Sequence, residues 1–169
     1  MILYVVRHGV AEEIGPDGDD RSRRLTPAGR RKMRLAAAGM HALGLRFDLL
    51  LTSPFARAAE TARIVHEALG GPPPRELSAL EQGVPPAETV RALVGLGRHE
   101  HVAIVGHEPG LSGVLSLLLS GSPDGVRIVL KKGGLVAVEV HDVRRRAGAT
   151  LRFALTPRQL RRLGRPSAR

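Results

Sequence analysis

The chain has 169 residues, no cysteine and a formal net charge of +10. This length favours one domain with a sizeable core, and the lack of cysteine excludes disulfides, thiolate metal sites and a cysteine nucleophile. No apolar run reaches the roughly 18 residues of a membrane span, and an apolar content of 43% excludes a wholly disordered chain. The absence of cysteine is compatible with a reducing cytoplasm, where we expect the protein.

Buried strands and helices alternate through most of the chain. Short apolar runs predict strands at residues 2–6, 47–52 and 101–105. Helices are predicted from the Thr26 cap to about Leu43, from Ser53-Pro54 to about Leu69, from Pro86 to Leu96 and from Pro109 to about Leu119.

The remaining segments predict a short strand at residues 77–80, three strands at residues 126–130, 135–140 and 150–155, and a short basic helix or tail from Pro157 to Leu163. This order predicts an α/β fold, a three-layer sandwich with a mainly parallel central sheet and an antiparallel end. We expect one domain over residues 1–156 and a basic C-terminal helix or tail over residues 157–169.

The positive charge is concentrated at the C-terminal end. Residues 143–169 contain nine arginines and no acidic residue, whereas residues 1–142 contain 17 basic against 16 acidic residues, a net charge of +1. The chain has three lysines, Lys32, Lys131 and Lys132. We interpret the basic stretch as a solvated face. The alternative is a phosphate- or nucleic-acid-binding module without catalytic activity, but Phe153 is the single aromatic residue of the stretch, which disfavours base stacking.

Three predicted strands end in residues that carry chemistry. They are Arg7 and His8 after the first strand, Ser53 and Arg57 after the second, and His107 after the third. In open α/β sheets ligands bind beyond the carboxyl ends of the strands. We therefore expect two histidines and two arginines to converge on one crevice.

This set of side chains predicts a phosphate site. Two guanidinium groups match the oxygens of a phosphoryl group, and the helices that follow Pro54 and Pro109 direct N–H groups to the same space. A neutral imidazole is a competent nucleophile towards phosphorus. Nearby cations favour the neutral form by lowering the pKa of a histidine.

Other histidines have simpler interpretations. His41, His66 and His141 are taken as hydrogen-bonding or surface residues, the usual case for a lone histidine. His99, His101 and His107 offer an alternative, a metal site. We disfavour it, because the predicted strand separates His101 from His107.

The motifs at these strand ends resemble the histidine phosphatase superfamily, which includes cofactor-dependent phosphoglycerate mutases. The matching segments are RHG after the first strand, TSPFARAAETA after the second and GHEP after the third. Leu25-Thr26 with Gly29, VGHEPGL and LTPRQL resemble further segments of small bacterial members, so the resemblance covers essentially the whole chain.

The spacing between the motifs resembles that of the SixA-type phosphohistidine phosphatases. Larger members insert helices that form a lid, whereas here only 26 residues lie between the prolines at 72–74 and the third core strand, which begins at residue 101. The resemblance therefore implies a minimal, phosphoglycerate mutase-like fold without a lid insertion. An open site suits phosphohistidine on a protein such as a histidine phosphotransfer domain, or a small phosphomonoester as the alternative. No membrane and no nucleic acid is expected as a partner.

The resemblance also implies roles for individual residues. His8 would be the nucleophile, Arg7 and Arg57 would hold the phosphoryl oxygens, and His107 would donate a hydrogen bond to them. Ser53 is a further candidate for substrate binding. Glu81 is the candidate general acid, with Glu12 and Glu13 as alternatives. No metal and no cofactor is expected.

Two residues depart from the pattern of small members. Glu108 stands where they usually carry asparagine. Its carboxylate would either lie beside the anion site or point away from it. Lys132 stands where relatives often have threonine and would add a cation at the rim.

Overall fold

The computed structural model describes residues 1–96, 98–145 and 147–165. The strands are β1 (Ile2–Arg7), β2 (Leu49–Thr52), β3 (Arg75–Glu76), β4 (His101–Gly106), β5 (Leu135–Val140) and β6 (Ala149–Leu155). The α-helices are α1 (Pro27–Ala42), α2 (Ala56–Leu69), α3 (Pro86–Val94), α4 (Gly110–Ser120) and α5 (Pro157–Leu163).

All six strands belong to one mixed sheet with the order β3-β2-β4-β1-β5-β6. The first four strands in this order are parallel, β5 runs antiparallel to β1, and β6 runs antiparallel to β5. The predicted α/β fold with a mainly parallel sheet and an antiparallel end is therefore confirmed.

The helices cover both faces of the sheet and complete the three layers. Side chains of β1 alternate between the faces, with Tyr4 and Val6 on one and Leu3 and Val5 on the other. The first face packs against α1, α2 and α5, and the second packs against α3 and α4. Burial on both faces explains why the central strands read as continuous apolar runs.

The start of α1 follows from local chemistry, and a glycine within the helix allows it to pack against α5. The Thr26 hydroxyl accepts a hydrogen bond from the Gly29 amide at 2.9 Å, and Pro27 occupies the first helical turn, as predicted. Leu160 of α5 is fully buried against α1. Its carbonyl oxygen would lie only 2.0 Å from a Cβ at position 39, so Gly39 is needed for this close approach.

The helical form of residues 157–163 is thus observed, whereas the division of the chain at residue 156 stays a prediction. Arg146 and residues 166–169 of the predicted basic stretch lie outside the described residues.

Two predicted strands are wrong. Residues 126–130 form no strand, because the Val126 amide donates to the Ser116 hydroxyl and β5 occupies the place beside β1. Val129 is left 84% exposed. The strand predicted at residues 77–80 lies earlier, at β3, and residues 78–80 form a 3-10 turn that buries Leu80.

The region between β3 and β4 is short. Among its described residues it contains this 3-10 turn and α3 as its helical elements, in keeping with the predicted minimal fold. The described part of the chain has no helix whose length and apolar character would let it cross a membrane.

Candidate active site

The carboxyl ends of three parallel strands lie side by side and hold the predicted site. β4 lies between β1 and β2, with Arg7 paired to Gly106 and Thr52 paired to Val105. The next residue of each strand is therefore brought to the same edge of the sheet. These residues are His8, Ser53 and His107, and the rings of the two histidines lie 5.0 Å apart between centroids.

His8 is held in one tautomer by the backbone of the next residue. Its Nδ1 lies 2.7 Å from the Gly9 carbonyl oxygen. Because a carbonyl oxygen only accepts, Nδ1 carries the proton in a neutral ring and Nε2 keeps a free lone pair. The Gly9 amide in turn donates to the Thr61 hydroxyl at 3.0 Å, which fixes this loop to α2.

Burial and charge keep both histidines neutral. Burial is the main cause that lowers the pKa of His8 from 6.5 to about 3. The hydrogen bond to the Gly9 carbonyl opposes this shift, whereas the charges of His107, Arg57 and Arg7 add to it. The pKa of His107 is lowered to about 4, again mainly by burial and then by Arg57. At neutral pH the site therefore presents two uncharged imidazoles among fixed cations.

His107 is positioned by Ser53. Its Nε2 lies 2.9 Å from the Ser53 hydroxyl, which also accepts a hydrogen bond from the Phe55 amide at 3.3 Å. The hydroxyl can donate to Nε2, and a neutral His107 in that pairing carries its proton on Nδ1. Nδ1 is buried and has no hydrogen-bond partner among the described residues. Ser53 itself is fully buried, so its polar contacts are with protein.

Arg57 is the most buried cation of the site, with 2% of its surface exposed. It lies in the first turn of α2, as predicted. Its guanidinium donates to the Asp20 carbonyl oxygen at 2.6 Å, to the Asp20 carboxylate at 2.9 Å and to the Gln82 side chain at 2.7 Å. The Phe55 ring lies 5.1 Å from the guanidinium carbon and covers it.

Asp20 and Gln82 were missed by sequence reasoning. They lie 37 and 25 residues from Arg57, and neither stands at the end of a core strand. The one signal was the polar, acidic composition of residues 9–24, which reads as an ordinary loop. A buried guanidinium requires polar partners, so the partners become visible once the burial of Arg57 is known.

Arg7 is the last residue of β1, and its side chain reaches the segment before β5. One terminal nitrogen donates to the Leu130 carbonyl oxygen at 2.9 Å, and its Nε is buried without a hydrogen-bond partner among the described residues. The irregular segment before β5 thus holds Arg7 in place.

The candidate acids differ in position. Glu81 lines one small cavity together with His107 and forms an ion pair with Arg21 at 3.1 Å. The Glu12 carboxylate accepts a hydrogen bond from the Arg24 amide at 3.1 Å, and Glu13 is exposed. Of these three, only Glu81 is therefore brought beside one of the two histidines.

Glu108 is held by the first turn of α4. One carboxylate oxygen accepts a hydrogen bond from the Ser112 hydroxyl, and the other is buried without a partner among the described residues. Glu108 lines the same small cavity as His107. The Glu108 carboxylate is therefore held by the protein and stays near the site.

The structure does not bring together the three histidines of the alternative metal site. His101 lies at the start of β4, where its Nδ1 is 3.2 Å from the Tyr4 hydroxyl, and His107 follows the other end of the strand. His99 lies 3.5 Å from an Asp48 carboxylate oxygen. Within the described ranges there is no group of three histidine, cysteine, aspartate or glutamate residues that would hold a metal ion.

Taken together, the fold and the site define a small α/β phosphatase with paired histidines at the carboxyl edge of its sheet. Residues 3–82 match the model of the histidine phosphatase superfamily, branch 1. An uncharacterized protein of Picosynechococcus is 35% identical over 144 residues, which cover 82% of this chain and 84% of that protein. The chain belongs to the histidine phosphatase superfamily.

Solved structures show the same fold. The protein histidine phosphatase SixA, complexed with tungstate, has a TM-score of 0.84 at 23% identity and covers 95% of this chain and 99% of its own. The alpha-ribazole phosphatase of Shigella flexneri has a TM-score of 0.71 at 18% identity, with coverage of 93% and 97%. The SixA-sized fold inferred from the sequence is thus confirmed.

Proposed function

We propose that this phosphatase transfers a phosphoryl group to His8 and then to water, and that its substrate is a phosphohistidine on a protein. The observation that carries the proposal is the hydrogen bond from His8 Nδ1 to the Gly9 carbonyl. It leaves Nε2 unprotonated, and the low pKa of about 3 keeps it so at neutral pH. A nucleophile of this kind needs no separate base.

In the first step, the Nε2 lone pair forms a bond to phosphorus while the bond between phosphorus and the leaving nitrogen breaks. In the second step, water attacks phosphorus, the bond to Nε2 breaks and inorganic phosphate leaves. Arg7 and Arg57 would stabilise the phosphoryl oxygens in both steps. His107 would donate its Nδ1 proton to them, and Ser53 would position His107 rather than bind substrate.

Arg57 would share its donors between Asp20, Gln82 and the phosphoryl group. A guanidinium has five N–H donors, and three of its hydrogen bonds go to these two residues. The Asp20 contacts would thus orient the guanidinium and leave further donors for substrate.

The leaving nitrogen needs a proton. Glu81 is our candidate donor because it borders the same cavity as His107. Its carboxylate would take back a proton from the water that attacks phosphorus in the second step. The ion pair with Arg21 would have to open for it to act. Glu81 stays a prediction, as do Glu12 and Glu13 as its alternatives.

The short region between β3 and β4 supports the choice of a protein substrate. It leaves the strand ends without an inserted helical lid among the described residues, so a phosphorylated side chain on a folded partner can approach. The second candidate is a small phosphomonoester, for which a neighbouring cavity lined by Arg7 and Gly9 offers space. We expect the activity in the cytoplasm.

The test is direct detection of the phosphoenzyme. We expect acid-labile, base-stable phosphate on the full-length chain after it is mixed with a phosphorylated histidine phosphotransfer domain, and none on the His8→Ala variant. A His41→Ala variant is the matched control, because His41 is exposed and distant in sequence. Wild-type turnover by His8→Ala would refute the mechanism. Phosphate on His8 from small phosphomonoesters alone would favour the second candidate.

A further inference from the structure

The three lysines of the chain converge on one cavity. Lys32 comes from α1, whereas Lys131 and Lys132 come from the segment before β5, yet all three line a cavity of about 410 Å³. Arg161 of α5 and Arg7 add two further cations. Among the described residues that line this cavity none is acidic.

The charges of these lysines are not neutralised within the protein. All three are exposed. In the described part of the chain, neither they nor Arg161 takes part in an ion pair. Unpaired cations around a concave surface create a positive potential that attracts an acidic ligand.

The cavity also has an apolar floor. Val10, Met33, Ala36 and Pro157 line it between the cations. This combination suits side chains with an apolar stem and an anionic end, such as glutamate on a helix, because the stem is buried while the carboxylate reaches the rim.

The positive surface continues along α5. A neighbouring depression is lined by Arg158, Arg161, Arg162 and Arg165, and Arg161 belongs to both. We call the surface formed by the three lysines and these four arginines the basic face. The two adjoining depressions together extend beyond what one phosphoryl group occupies. Their extent favours a macromolecular partner.

The basic face begins at the candidate active site. Arg7 and Gly9, the neighbours of His8 in the chain, line the cavity. Gly133, which follows Lys132, also lines it, and its amide donates to the His8 carbonyl at 3.1 Å. A folded partner whose phosphoryl group lies at His8 is therefore within reach of this surface.

We propose that the basic face docks the acidic surface of a phosphoprotein substrate, so that acidic side chains beside the phosphohistidine bind Lys32, Lys131 and Lys132. This inference rests on the proposed function and adds the substrate's charge pattern to it. A nucleic acid is disfavoured as the occupant, because no aromatic residue is found among the described residues that line the two depressions.

The experiment compares two helical peptides that each carry one phosphohistidine. One has glutamate four residues before and after it, on the same helix face, and the other has glutamine. We expect the wild type to hydrolyse the acidic peptide with a kcat/KM about fourfold higher, since each of the two exposed charge pairs contributes about twofold. The advantage should shrink with added salt, as screening requires.

The variant Lys32→Gln/Lys131→Gln/Lys132→Gln should lose this preference and keep its activity on p-nitrophenyl phosphate. The matched control is Arg31→Gln/Arg34→Gln/Arg63→Gln, which removes the same charge from exposed residues outside the cavity. An equal kcat/KM for both peptides in the wild type, or an equal loss in the control variant, would overturn the proposal.

A binding measurement separates this inference from the proposed function. Fluorescence anisotropy with the unphosphorylated peptides needs no catalysis, and we expect tighter binding of the acidic peptide that the lysine variant loses. If phosphohistidine is not hydrolysed but this difference holds, the function fails and the docking surface stands. If neither peptide binds while a single-stranded oligonucleotide does, the basic face belongs to nucleic acid and the proposal is wrong.

Discussion

Replacement of Ser53 by alanine tests how the second histidine is positioned. The substitution removes the hydroxyl that lies 2.9 Å from His107 Nε2 and accepts the Phe55 amide at 3.3 Å. Ser53 is fully buried, so no solvent replaces either contact directly. Each orphaned buried group costs about 1–3 kcal/mol. Because the contact to Phe55 is long, we expect a loss of about 2–4 kcal/mol in the free energy of unfolding.

The catalytic effect has a separate cause. Without the hydroxyl, nothing in the described structure favours the proton on Nδ1 of His107, and the ring can shift from its place. Misplacement of a catalytic group on the ångström scale costs up to about 100-fold in rate. We therefore expect kcat for Ser53→Ala to fall about 10- to 100-fold, with a smaller change in KM. Steady-state kinetics and thermal unfolding measure the two effects independently.

Ser116 provides the matched control. It is also fully buried, its hydroxyl donates to the Ser122 carbonyl at 2.7 Å, and it accepts the Val126 amide at 2.9 Å. Ser116→Ala should therefore lose similar stability without a change in kcat. If Ser53→Ala kept the kcat of Ser116→Ala at the same temperature, Ser53 would have a structural role only, and the positioning of His107 would be refuted.

Two further predictions concern protonation and backbone packing. NMR titration should find His8 and His107 neutral down to pH 5, because their pKa values in the folded protein are about 3 and about 4. Both values lie below the 6.5 of an unfolded chain, which therefore binds protons first as the pH drops. The free energy of unfolding should accordingly fall below pH 6.5. A midpoint near 6.5 for His8 would contradict this. Gly29→Ala should destabilise the fold in thermal unfolding, since its Cβ would lie 2.0 Å from the Val10 carbonyl oxygen, whereas Gly95→Ala, in open space, should not. Equal melting temperatures for these two variants would show that α1 shifts without cost.

Local chemistry explains why much of the fold could be predicted. The central strands are buried on both faces, so their apolar runs are visible in the sequence. The Thr26 cap and Pro27 mark the start of α1 through contacts within a few residues. Segments whose partners are distant were harder to predict. Residues 126–130 read as a strand, yet β5 occupies the place beside β1.

The residues of the candidate site also fall into those that could be predicted from the sequence and those that could not. His8, His107 and the two arginines could be identified because each follows a core strand and stands in a recognisable motif. The partners of Arg57 could not be identified from the sequence, because Asp20 and Gln82 reach it only when a loop and a turn fold over α2. The tautomer of His8 also depends on the path of the backbone at Gly9.

The sequence alone determined the net charge, the alternation of strands and helices, and which strand ends hold the site. The tertiary structure decided which charges act together. Lys32 and Lys132 are a hundred positions apart in the chain, and only the packing of α1 beside the segment before β5 brings them to one cavity. The physical reason is that strand and cap signals depend on neighbouring residues, whereas an electrostatic surface depends on distances that the sequence does not contain.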